Sequence, residues 1–212
     1  MKIRWYGHAC FLFTNKEGIK VLTDPFDSSV GYPIPNVEPN IVTTSHEHFD
    51  HNAVSLLKGK FITLKEIVDK EELGIKIKSI SSYHDESLGS KRGENRIFVF
   101  TIDGIKIAHL GDLGHILTKE DVEKLGEIDV LCIPVGGVYT IDAKQAIEII
   151  ERVNPKIVIP MHYKTANLKF DLAPLENFLS IIKYPIKKLT DKEIEINKEN
   201  LPQSTEVWIL PY

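Results

Sequence analysis

The 212-residue sequence predicts an α/β protein in which sheets lie between helices. Three observations carry that expectation. Short apolar or β-branched runs recur along the chain and interleave with a few helical patterns. Some of them, such as Val130 to Val135, are almost wholly apolar and read as buried strands. The composition, 42% hydrophobic and 26% charged, is that of a globular chain able to bury a core, and the length fits one domain over residues 1–212.

The first third reads as β. Ile3 to Tyr6, Cys10 to Thr14 and Ile19 to Thr23 are strand patterns, and Asn15-Lys16-Glu17-Gly18 has hairpin-turn chemistry. The proline-rich stretch GYPIPNVEPN leads into a further strand, Ile41 to Ser45. Helices are expected at Ala53 to Leu57, stopped by Gly59, and at Leu64 to Leu73, ending at Gly74. Strands follow at Ile75 to Ser82, Arg96 to Ile102 and Ile105 to Leu110, the last two joined by the hairpin dipeptide Asp103-Gly104.

Thr118 with Asp121 marks a helix N-terminus, and Gly126 follows that helix. Asp142 caps the clearest helix, Ala143 to Val153, with an apolar stripe of Ala146, Ile147, Ile150 and Val153, and Asn154-Pro155 ends it. Lys156 to Pro160 is a buried strand, Leu175 to Ile182 a last helix, and Glu193 to Asn197 and Glu206 to Leu210 two final strands. The segment KKLTDKEIEINKEN, 187–200, alternates charge around sparse apolar residues and reads as a solvated strand edge.

Charge narrows the functional classes. Lys plus Arg is 26 against 30 for Asp plus Glu, a net charge of -4, which argues against a surface built for nucleic acid or anionic lipid. No apolar run approaches the ~20 residues of a membrane span. The start, MKIRWYGHACFLF, lacks the uniform apolar centre of a signal peptide. The two cysteines, Cys10 and Cys132, sit in apolar stretches as buried reduced thiols rather than a disulfide, and a cytoplasmic location is the default. The oligomeric state is left open.

The chemistry concentrates in VTTSHEHFDH, residues 42–51, which holds three of the chain's eight histidines. His46 and His48 leave an extended segment, where residues two apart project to the same side and two imidazoles can grip one ion. Asp50 and His51 lie beyond the strand end, where a tight turn can swing them towards a second ion. Imidazole and carboxylate suit Zn, Fe or Mn without any thiolate. Further ligand-type residues stand just past other apolar runs: His84, Asp112 in HLGDLGH and His162 in PMHYKT. Strand ends gathered at one sheet edge are where a layered α/β protein forms a site.

SHEHFDH, with HD at 84–85, HLGD at 109–112 and IPMH at 159–162, resembles the metallo-β-lactamase superfamily over nearly the whole chain. TDPF at 23–26 falls where that family keeps an aspartate supporting the ligand loop. The early GHA, HLGDLGH, PVGG and IPMHYKT resemble a compact branch of metal-dependent hydrolases related to ascorbate-phosphate lactonase. The resemblance implies a four-layer αββα sandwich with metals at one edge between the sheets. It implies that His46, His48 and His84 hold a first ion, that Asp50, His51 and His162 hold a second, and that Asp112 bridges them. Asp24 would orient the ligand loop, and Asp50 would both ligate and handle a proton.

The expected activity is hydrolysis of a small ester, lactone or phosphodiester, using two divalent ions, Zn first and Mn or Fe as alternatives. Ions ~3.5 to 4 Å apart would activate a bridging hydroxide and polarise the scissile group. His8, where one β-run breaks before the next, is an additional catalytic candidate. His115, the Gly136-Gly137 segment with Tyr139 and Thr140, and Tyr163 with Lys164 are candidates for the pocket wall; His109 reads as packed structure. Competing readings are a metal-dependent nuclease or phosphodiesterase, a di-iron redox protein and a non-catalytic metal-binding protein. The stretch between His51 and His84 shows no long specificity loop.

Overall fold

The computed structural model describes all 212 residues. Two sheets face each other. The first has six strands in the order β13-β1-β2-β3-β4-β5, the second eight in the order β12-β14-β11-β10-β9-β8-β7-β6. Their ranges are β1 Lys2–Gly7, β2 Cys10–Thr14, β3 Lys20–Thr23, β4 Ile41–Thr43, β5 Ile62–Leu64, β6 Asp69–Glu72 and β7 Ile75–Tyr83. The remainder are β8 Glu94–Ile102, β9 Ile105–His109, β10 Val130–Pro134, β11 Ile157–Met161, β12 Ile186–Lys188, β13 Glu193–Glu195 and β14 Glu206–Ile209. The helices are α1 Lys119–Leu125, α2 Ala143–Val153 and α3 Leu175–Leu179.

Side-chain alternation along β2 sorts the layers. Phe11 and Phe13 point into the core between the sheets, with Ile3, Trp5, Phe98, Phe100 and Ile107. Cys10 and Leu12 point the other way, where Leu22, Phe26, Val30, Tyr32, Leu168 and Leu172 cover them. Complete burial of each such large side chain contributes roughly 1.5–3 kcal/mol, so the inter-sheet core holds the sandwich. The expected αββα arrangement is present, with a thin outer layer on the six-stranded sheet: loops and a 3-10 turn at Ser28–Val30 rather than long helices. Cys10 and Cys132 are both buried free thiols.

Helices α1 and α2 begin with capping boxes, Thr118 with Asp121 and Asp142 with Gln145, at the residues expected. On α2 the buried stripe is Ala146, Ile149, Ile150 and Val153, so Ile149 takes the place assigned to Ile147. Asn154 ends α2 in the left-handed conformation at φ 51°.

Three expected helices differ. Residues 64–73 are not helical but form the end of β5 and the strand β6, with Leu73-Gly74 (φ 50° and 77°) turning β6 into β7. A glycine with positive φ serves a helix C-terminus and a two-residue hairpin equally, and the local pattern does not separate them. The helix expected at 53–57 is a single 3-10 turn, Val54–Leu56, and α3 stops at Leu179 instead of Ile182. Strand β12, at the start of the segment read as a solvated strand edge, is exposed at every residue and pairs with β14 at the sheet edge.

Candidate metal centre

The site lies in the groove where strand ends of both sheets meet. The six-stranded sheet supplies His8 from the β1–β2 turn, Asp24 just past β3, and His46, His48, Asp50 and His51 from the loop after β4. The eight-stranded sheet supplies His84 after β7, Asp112 after β9 and His162 after β11. These ends coincide because the two sheets pack face to face, and no stretch of sequence states that juxtaposition.

Asp112 stands at the middle. Its Oδ2 lies 3.1 Å from His84 Nε2, 3.2 Å from His162 Nε2 and 3.9 Å from His46 Nε2, and its Oδ1 lies 3.2 Å from His51 Nε2. On one side His46 Nε2 and His48 Nδ1 are 3.0 Å apart, with His84 beside them. The extended geometry expected for these two histidines is absent, since β4 ends at Thr43; the chain bends after Ser45 and still brings both imidazoles together. On the other side His8, Asp50, His51 and His162 form a second group of ligand atoms, with His8 Nε2 3.0 Å from Asp50 Oδ2.

Asp24 sits behind this shell. Its carboxylate accepts from Ser45 N at 2.7 Å and Ser45 Oγ at 2.6 Å, and His51 Nδ1 lies 2.8 Å away. In the neutral ring that a metal ligand requires, Nδ1–H would donate to Asp24 and leave the Nε2 lone pair of His51 facing Asp50 and Asp112. His8, Asp24 and His162 all adopt left-handed backbone, φ 52°, 42° and 52°. Such conformations cost of order 1–3 kcal/mol each and persist where the surroundings impose them. For His8 the imposition is visible: its carbonyl accepts from Trp5 Nε1 and His162 N.

Electrostatics follow burial and the mutual proximity of these groups. Burial, reinforced by His162, lowers His8 to about 4, and burial with the neighbouring His51 lowers His46 to about 3. Both imidazoles are therefore neutral near pH 7, with lone pairs available. His51 moves the other way: burial pushes it down, but the Asp112 and Asp50 carboxylates outweigh burial and raise it well above the usual range. Asp112, for which burial alone would raise the value, is held well below the carboxylate range by His162 and His51.

The residues fit a cation. Among the few buried side-chain nitrogens and oxygens without a hydrogen-bond partner, His51 Nε2 and Asp112 Oδ1 both point into the cluster. An unpaired polar atom in a dry interior is costly, and a cation between the two groups removes that cost. The donor set, imidazole and carboxylate only, is the one suited to divalent Zn, Mn or Fe.

Several positions take other duties. His115 does not face the site: its Nε2 accepts from Tyr83 N at 3.3 Å and its Nδ1 donates to Ile116 O, so it secures a loop rather than meeting an anion. His109 is packed structure, donating from Nε2 to Ala9 O at 2.8 Å. Tyr163 is buried against Trp5. Lys164 donates to the carbonyls of Leu168 and Phe170, holding that loop in shape. At Gly136 a Cβ would stand 2.1 Å from His162 O, so close backbone packing requires a glycine there, and the Gly137 amide is used within its own turn, bonding to Ile141 O. Thr140 bonds Ile141 O, and only Tyr139 of that segment reaches the pocket.

Sequence reasoning missed Asn95. Fully buried, it donates to Ser82 Oγ and Leu110 O and accepts from Asp112 N at 3.0 Å, fixing the backbone of the central carboxylate. It also missed the outer wall apart from Tyr139. Above the candidate ligands opens a cavity of about 500 Å³ whose other lining residues are Glu47, Phe49, Arg92, Tyr139 and Phe170. A polar residue on an inward strand position was the available signal for Asn95; the other wall residues carry none.

Comparisons with known proteins bear on the family and the fold. Residues 2–162 match the family described as the beta-lactamase superfamily domain. A UPF0173 metal-dependent hydrolase of Thermoplasma acidophilum is 32% identical, covering 79% of this chain and 85% of the relative. One of Thermoplasma volcanium is 29% identical over 92% of this chain and 99% of its own length. Among solved structures, a candidate Zn-dependent hydrolase of the metallo-β-lactamase superfamily from Thermotoga maritima is 42% identical with a TM-score of 0.82, each chain covered to 99%.

Proposed function

Because this chain belongs to the metallo-β-lactamase superfamily and is a metal-dependent hydrolase, we propose that its strand-end cluster holds two divalent ions and hydrolyses a small ester, lactone or phosphodiester. One observation carries the reading: a single carboxylate, Asp112, has ligand-type imidazoles of both groups around its two oxygens. His46, His48 and His84 would hold the first ion and Asp50, His51 and His162 the second, with Asp112 within reach of both groups. Zinc is the first expectation, with Mn or Fe as alternatives that elemental analysis distinguishes.

The ions, when bound, supply Lewis acidity and lower the pKa of water. The chain does the rest. Asp24 holds His51 in the ligating tautomer and Ser45 in the turn that starts the ligand loop. Asp50 accepts from His8 Nε2, and this pair can pass a proton between the reacting groups and the protein. Aromatic rings of the outer wall limit the entry of bulk water beside the substrate. Residues 163–212 contribute strands to both sheets, which supports one domain over 1–212. The free buried thiols fit a reducing compartment such as the cytoplasm, where a small-molecule substrate would be met.

The test is Asp112→Asn. The variant is expected to stay folded by circular dichroism, to lose bound metal on elemental analysis, and to lose hydrolysis across an ester, lactone and phosphodiester panel. Full activity with a measured empty site would overturn the proposal.

A further inference from the structure

Arg92, an exposed residue, is the one lysine or arginine lining the cavity. Its guanidinium makes no ion pair and no hydrogen bond within the chain; it lies over the ring of Tyr139, 4.7 Å from the centroid. An arginine stacked on an aromatic face keeps its edge free, and five N–H donors remain for a planar or tetrahedral oxyanion.

The arginine is held in place by its loop. Asp85, immediately after the ligand His84, accepts from the backbone amides of Ser87, Gly89, Lys91 and Arg92 at 2.7, 3.1, 3.0 and 2.7 Å. Burial opposes the charge on Asp85, but those amides prevail and hold its carboxyl below the ordinary range. One carboxylate thus folds residues 85–92 into a ring that projects Arg92 over the cavity. Gln145 Nε2 donates to Glu86 Oε1 at 2.7 Å, tying this loop to the start of α2, just beyond the segment that presents Tyr139. In that segment Val138 is held at φ 63°, a conformation that a β-branched residue rarely adopts. Across the cavity Phe49 and Phe170 meet edge to face, centroids 6.0 Å apart, and Phe49 is 57% exposed.

We propose that Arg92 anchors a remote oxyanion of the substrate, a carboxylate or phosphate separate from the scissile bond, while Phe49 and Phe170 hold an apolar part of the same molecule. This deepens the hydrolase reading of the same pocket and rests on it: the substrate becomes an amphiphilic, anionic ester or lactone. Arg92 is a specificity residue and takes no part in the bond cleavage.

The experiment uses the intact zinc-loaded protein and two esters with one leaving group, para-nitrophenyl acetate and the mono-para-nitrophenyl ester of adipic acid, which adds a distant carboxylate. The wild type is expected to favour the adipate ester in kcat/KM. Arg92→Ala is expected to reduce that preference about tenfold, chiefly through KM. Arg92→Lys, which keeps the charge without the planar fork, restores part of it.

Calorimetric binding of benzoate and phenylphosphonate reads the same contact without turnover. Both anions are expected to bind Arg92→Ala several-fold more weakly than wild type, and the tighter of the two in wild type assigns the anion as carboxylate or phosphate. An unchanged ester preference together with unchanged anion affinities overturns the inference. If the wild type hydrolyses neither ester, the ester reading of the pocket fails, and the calorimetric comparison alone decides the anion contact.

Discussion

In the proposed metal site Asp24 acts through His51, and its loss should be felt at the metal. Its carboxylate is 2.8 Å from His51 Nδ1 and also fixes both polar groups of Ser45. Asp24→Asn removes the charge that selects the His51 tautomer, so metal affinity is expected to fall roughly 10–100-fold in a competition titration with a chromogenic chelator. Unchanged affinity in a folded variant would exclude this role. At this scale the ligand-type residues were legible because imidazole and carboxylate have few uses in a cluster, and VTTSHEHFDH places four of them within six positions. Arg92, Phe49 and Phe170 were not legible. An arginine in SLGSKRGEN looks like any solvated loop arginine until Asp85 is seen gathering the amides around it.

Elements were read best where a local rule is sufficient. The capping boxes of α1 and α2 satisfy backbone amides from within four residues, so Thr118 and Asp142 marked their starts without tertiary help. Asp142→Ala removes bonds to Lys144 N and Gln145 N and is expected to cost about 1 kcal/mol, measured by urea unfolding. A loss below experimental error would show that packing alone places the helix. Residues 64–73 show where a local rule is insufficient. Their spacing suits a helix, yet the Leu73-Gly74 turn pairs β6 antiparallel with β7, and sheet pairing prevails. The outer strands β6, β12 and β13 are short and mostly charged or exposed, as edges that resist pairing with other chains are.

For the whole molecule, the buried histidines set an acid limit. In the metal-free protein His8 is lowered to about 4, against about 6.5 in an unfolded chain. Between those values the unfolded state binds a proton that the folded state refuses, so stability rises with pH through this window and is lost as pH falls from 6.5 towards 4. His8 alone accounts for a loss of about 3 kcal/mol, and His46, lowered to about 3, adds in the same direction. His51, raised by Asp112 and Asp50, has the opposite sign: its contribution is complete below pH 6.5 and declines as pH rises through its folded value. The chelated protein is therefore expected to melt at a falling temperature from pH 6.5 down to 4.5; a flat profile would contradict the neutral state of these imidazoles. The sequence by itself determined the donor chemistry, the capped helices and most strands, because each depends on residue type and spacing over a few positions. Only the tertiary structure decided that His8 joins Asp50, that Asn95 carries Asp112, and that Arg92 overhangs the pocket. Those relations join residues that strand pairing within one sheet brings together, or depend on how a loop folds around one carboxylate, and short-range spacing holds no record of either.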